Sequence, residues 1–126
     1  MLTYAAVGSN DLEKAKAFYD ALLGSVGVQK MFDHPSGGRI YGTPKSMFGV
    51  LGPYDGARAT VGNGAMSGFG LETRAQVAAF YAKAMEMGGA CEGPPGLRGP
   101  VAANAYFAYV RDLDGNKLCA YKFGPE

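Results

Sequence analysis

The chain has no tryptophan, a single histidine (His34) and only two cysteines, Cys91 and Cys119, among its 126 residues. No Ser-His-acid set can be argued from one histidine. The cysteines lack C-x-x-C spacing, so they read as reduced thiols in a cytosolic protein rather than as a zinc framework or a disulfide pair. No apolar run is long enough to span a membrane. Lys plus Arg is 12 and Asp plus Glu is 11, with no basic stripe, which argues against nucleic acid and anionic membranes as partners. The G-x-x-x-x-G-K-[ST] phosphate loop is missing. The Gly-rich run VGNGAMSGFG opens a strand rather than a helix, so it is not a dinucleotide fingerprint. The start, MLTYAAVGSN, lacks the charged-then-apolar pattern of a signal peptide and reads as a first strand.

What is there suits one domain, with a core burying roughly two-thirds of the unfolded chain's surface. The 20 glycines are dispersed at turns, so the chain is not low-complexity.

The chain also contains itself twice. YAAVGSNDLEKAKAFYDALLGSVG begins at Tyr4, and MSGFGLETRAQVAAFYAKAMEMGG begins at Met66. At that spacing Phe18-Tyr19 falls on Phe80-Tyr81, Gly8 on Gly70 and Gly27 on Gly89. Each copy reads as a strand, a polar break and an amphipathic helix. Leu12, Ala15, Phe18, Tyr19, Leu22 and Leu23 recur at three- and four-residue steps, as do Val77, Phe80, Tyr81, Ala84 and Met85. Asn10 with Glu13, and Thr73 with Gln76, resemble capping boxes, and Gly24 and Gly88-Gly89 are stop signals.

Short strands follow each helix: Val28–Phe32, Arg39–Tyr41 and Met47–Leu51 after the first, Tyr106–Val110 and Lys117–Phe123 after the second. GACEGPPGLRGP reads as a Gly/Pro-rich segment before that last pair. The expected fold is α+β, two tandem βαβββ modules whose paired sheets surround a cleft. Module one covers residues 1–51, the connection 52–64 and module two 65–126.

NDLEKAKAFYDALLG near the start and YVRDLDGNKLCAYKF near the end resemble the glyoxalase/bleomycin-resistance/extradiol-dioxygenase group, the vicinal oxygen chelate superfamily. The resemblance spans nearly the whole chain. It implies the duplicated fold, and a homodimer as the usual assembly. It does not fix an activity, because the group hosts isomerases, lyases, dioxygenases, transferases and drug-binding proteins. Its metal-dependent members carry His, Glu or Gln on the first and last strands of each module, where a divalent metal acts as Lewis acid.

At those positions this chain has Tyr4, Met66, Cys119 and, near the end of module one, Gly49. Such a set does not suit a hard divalent cation. No cofactor is therefore expected. Cys119 then stands where the resemblance places a carboxylate, either as a small buried hydrophobe or as a reactive thiol needing a nearby cation.

Alternation along the strands places Tyr121 and Phe123 with Cys119, Gly68 with Met66, and Met47 with Gly49. The expected cleft is apolar and aromatic, with glycines at 49 and 68 leaving room for a small-molecule ligand. Arg98 in PPGLRGP, Arg58, Asn104 and Tyr106 are candidates for its rim, with Arg98 suited to an anionic group. His34, in FDHPSGG, reads as a solvated turn residue.

The expected function is metal-free binding of a small, partly apolar or aromatic molecule. The alternatives are a metal-dependent lactoylglutathione-lyase-type enzyme or dioxygenase using Tyr4, Cys119 or His34, and a metal-free enzyme with Tyr4 or Tyr121 as acid and base.

Overall fold

A computed structural model describes all of residues 1–126. Module one runs β1 (Tyr4–Gly8), α1 (Leu12–Gly24), β2 (Lys30–Asp33), β3 (Arg39–Thr43) and β4 (Ser46–Leu51). Module two runs β5 (Ser67–Gly70), α2 (Arg74–Glu86), β6 (Ala90–Arg98), β7 (Ala105–Arg111) and β8 (Lys117–Phe123), with a 3-10 turn at Val101–Ala103. Each module makes one four-stranded sheet, in the orders β1-β4-β3-β2 and β5-β8-β7-β6. The first strand of each pairs in parallel with the last, and the other pairings are antiparallel.

One face of each sheet carries the core. Phe48 and Val50 of β4, Ala108 and Val110 of β7, and Leu118 and Ala120 of β8 pack with Phe18, Tyr19, Leu22 and Leu23 of α1 and Val77, Phe80 and Ala84 of α2. These are the positions that the helical and strand periods single out. A chain of aromatic contacts crosses between the modules: Tyr19 to Phe48 at 5.1 Å, Phe48 to Phe69 at 5.2 Å and Phe69 to Phe80 at 5.5 Å between ring centroids. Tilted and edge-on pairs of this kind are worth about 0.5–1.5 kcal/mol each beyond the area they bury.

Two local expectations change. The cap of α1 is Asp11, whose carboxylate accepts from the Lys14 amide. Asn10 instead holds the connecting segment, its side chain bonding Ala59 in both directions at 2.9 and 2.7 Å. The Thr73–Gln76 capping box of α2 forms as read.

The segment GACEGPPGLRGP holds a nine-residue strand, β6. Pro94 and Pro95 fit because β6 is an edge strand and its register slips between Gly93 and Gly96.

Candidate functional site

Tyr4, Ala6 and Gly8 alternate with the core-facing Ala5 and Val7, so they point to the sheet face away from the helices. Across the register, Met47, Gly49 and Leu51 of β4 share that face. In module two the same face carries Gly68 and Gly70 of β5, then Lys117, Cys119, Tyr121 and Phe123 of β8, then Phe107 and Tyr109 of β7.

β1 and β5 are edge strands, each at one end of its sheet. Between them lies a groove of about 620 Å³, lined by Leu2–Ala5, Val26–Gln29, Tyr41–Thr43, Ser46–Phe48 and Met66–Leu71. Tyr4, Met47, Met66 and Gly68 therefore come together there. The groove continues between the strands to core-side Phe48, Phe69 and Tyr41. Its polar character comes from Ser46, Ser67, Gln29 and the strand edges, whose outer backbone groups have no ladder partner.

The other end of this seam is closed. The connecting segment lies against Gly8, where an added Cβ would sit 3.0 Å from Ala59 Cβ. The β7–β8 hairpin reaches across, and Asn116 Nδ2 donates to the Gly8 carbonyl at 2.9 Å. A second cavity, of about 200 Å³, remains there between Ala6, Gly8, Thr60–Gly62, Met66, Asn116 and Lys117.

The remaining singled-out residues lie elsewhere. The space left by Gly49 is filled by Ile40, whose Cδ1 stands 2.8 Å from where a Cβ would be. Gly68 makes room for Cys119, with Sγ at 3.0 Å from an added Cβ, and for the Tyr121 ring. Cys119 is only 2% exposed. Burial pushes its thiol pKa up, and Lys117 opposes that only in part, so it behaves as a packed side chain rather than an activated nucleophile.

Tyr106 sits on the helix face, under the Arg74 guanidinium at 5.1 Å, and not on the rim. Arg98 lies over the Tyr109 ring at 5.5 Å and donates to the Pro94 and Leu97 carbonyls. Asn104 terminates the 3-10 turn with φ 50°. His34 bonds Ser36 within its own turn. Arg58 is exposed in the connecting segment.

The sequence reading placed Tyr121 and Phe123 on the open face of module two but missed Phe107 and Tyr109, which complete a row of rings there. Tyr109, Phe107 and Tyr121 are near-parallel, with centroids 5.7 and 5.2 Å apart and interplanar angles of 15° and 18°. Phe123 closes the row edge-on. The signal was available: two residues before Cys119 on the same face is Lys117, and in the alternation of β7 Phe107 and Tyr109 form the set opposite to Tyr106. Choosing Tyr106 selected the wrong parity of β7.

A divalent metal would need donors that this face does not bring together. No three of His, Cys, Asp and Glu converge anywhere in the structure. Tyr4, Gly49, Met66 and Cys119 offer a phenol, no side chain, a thioether and a buried thiol of raised pKa, a set that does not fit a hard cation.

Residues 2–120 match the family model for the Glyoxalase/Bleomycin resistance protein/Dioxygenase superfamily. A comparison with curated proteins finds no match. Among solved structures, a glyoxalase/bleomycin resistance protein from Albidiferax ferrireducens T118 is 43% identical, covers 97% of this chain and 98% of its own, and superposes with a TM-score of 0.89. A lactoylglutathione lyase from Agrobacterium tumefaciens is 19% identical with a TM-score of 0.70, over 97% of this chain and 92% of its own. A glyoxalase/bleomycin resistance protein/dioxygenase family enzyme from Burkholderia phytofirmans PsJN is 18% identical with a TM-score of 0.72, over 95% and 96%. These last two likenesses are of fold alone.

Proposed function

This chain belongs to the glyoxalase/bleomycin resistance protein/dioxygenase superfamily, and from that membership we propose that it binds a small, partly apolar or aromatic molecule without a resident metal. The observation that carries this reading is the groove of about 620 Å³ between β1 and β5. Its volume lies in the range of small-molecule sites. Its walls are those of such a site too, mostly apolar with a few polar groups.

Met47 and Met66 supply polarisable, adaptable thioethers, suited to an irregular or aromatic surface. Tyr4 supplies a phenol at the mouth, and the unpaired strand edges supply backbone donors and acceptors. Nothing in this set activates water or polarises a carbonyl, which favours binding over turnover.

The metal-dependent lyase reading finds no support in the donor set. The experiment is elemental analysis of tag-free protein expressed with Fe, Mn, Ni, Zn and Co supplied, followed by a ligand screen by thermal shift. Metal below a tenth of an equivalent with an aromatic hit supports the reading. About one metal per chain overturns it.

A further inference from the structure

Lys117 is an anomaly among the lysines. Lys14, Lys16, Lys30 and Lys83 lie within 4.0 Å of a carboxylate, and Lys122 bonds two backbone carbonyls. Lys45 is exposed in a turn. Lys117 is half-buried at the start of β8 and makes no ion pair. Its ammonium lies instead 5.5 Å from the centre of the Tyr109 ring.

The Arg98 guanidinium lies over the same ring, also at 5.5 Å, and it too has no carboxylate partner. Glu92 is taken by Arg111 at 2.6 Å. The hairpin acids are engaged as well: Asp112 with Tyr19 and Asn116, and Asp114 with the Asn10 amide. Of the three cations here, Arg98, Arg111 and Lys117, only Arg111 has a carboxylate partner. The other two share an aromatic surface, and the cavity of about 200 Å³ lies beside Lys117.

We propose that this cavity is a subsite for the carboxylate of a planar aromatic acid, with Lys117 as its cationic anchor and the Tyr109 end of the ring row as the surface for its apolar part. The proposal rests on the ligand-binding reading above and names the ligand class. Asn116 and Thr60 border the same space. Ala6 and Gly8 keep its floor small enough to admit a carboxylate. A charge-assisted hydrogen bond from a half-desolvated ammonium is the strong kind of polar contact. The ring quadrupole that holds Lys117 in place while the site is empty gives way to a full opposite charge.

The test compares 1-naphthoate with 1-naphthamide, equal in shape and differing in charge, by calorimetry on the full chain. The acid is expected to bind at least about tenfold tighter. Lys117→Met keeps the aliphatic stem and is expected to abolish that preference. Lys117→Arg should retain it. Should Lys117→Met not fold, Lys117→Gln serves as the neutral variant. Equal binding of acid and amide to the native protein, or a preference that survives neutralisation of Lys117, overturns the subsite and leaves the groove reading intact. Failure of both probes to bind overturns the two together.

Discussion

The Tyr19 hydroxyl of module one donates to Asp112 Oδ2 of module two at 2.5 Å, in a site where Tyr19 is fully buried and Asp112 is 5% exposed. The same carboxylate accepts from Asn116 Nδ2 through Oδ2, and from the backbone amides of Asp114 and Asn116 through Oδ1, each at 2.9 Å. Asn116 in turn reaches the Gly8 carbonyl. The DLDGN turn is thus a polar clasp between modules, and it holds the closed end of the seam.

Removing the centre of the clasp is expected to cost more than removing its periphery. Asp112→Ala strands several buried donors and should destabilise by about 3 kcal/mol or more, whereas Tyr19→Phe removes one bond and should cost about 1.5 kcal/mol. Urea unfolding of the two single variants and of Tyr19→Phe combined with Asp112→Ala gives the coupling energy. A coupling near zero would show that the contact contributes nothing to stability.

Alkaline pH is expected to weaken the fold through two phenols. Burial, followed by the Asp112 charge, raises the Tyr19 pKa well above 10.0. Burial and the bond to Asp20 raise that of Tyr41. Above pH 10 the unfolded tyrosines lose protons while the folded ones keep theirs. Stability is then lost as pH rises, by up to about 1.4 kcal/mol per unit for each group. Urea midpoints at about pH 8 and about pH 11 check this. The fall should be shallower in Tyr41→Phe, and an unchanged slope would remove Tyr41 from the account.

The two thiols should separate kinetically. Cys91 is exposed, and Cys119 is buried with its pKa raised. One thiol per chain is expected to react quickly with an aromatic disulfide reagent in the native protein, and the second only on unfolding. Rapid reaction of both, or protection lost in Cys91→Ser, would mean that Cys119 is accessible after all.

Gly68 and Cys119 form a matched pair of small and larger side chains across β5 and β8. Gly68→Ala puts a methyl against Sγ and should destabilise by about 1–2 kcal/mol. In a Cys119→Gly background the same change should be nearly neutral. Additive costs in the double variant, read from thermal or urea unfolding, would refute the pairing.

Much of the fold was legible because it is written in periods. The repeat that puts Phe18-Tyr19 over Phe80-Tyr81 found both helices and the two similar modules. The DGN turn with alternation found β7 and β8 to within a residue. The Gly/Pro-rich segment hid β6, because an edge strand with slipped register tolerates the two prolines that mark a break elsewhere. The cap of α1 was read one residue early, since Asn10 and Asp11 are both good caps and only the contact with Ala59 decides which is free to act.

The sequence by itself determined the duplicated α+β modules and the core faces, since each follows from residue type and local period. Tertiary structure alone decided the site. Alternation says that residues share a face but not which face meets the groove, and one step of parity separated Tyr106 from Phe107 and Tyr109. The groove itself arises from two strand edges far apart in the chain. The cations of Arg98 and Lys117 meet over one ring only once β6, β7 and β8 have aligned, a coincidence in space for which the sequence carries no local signal.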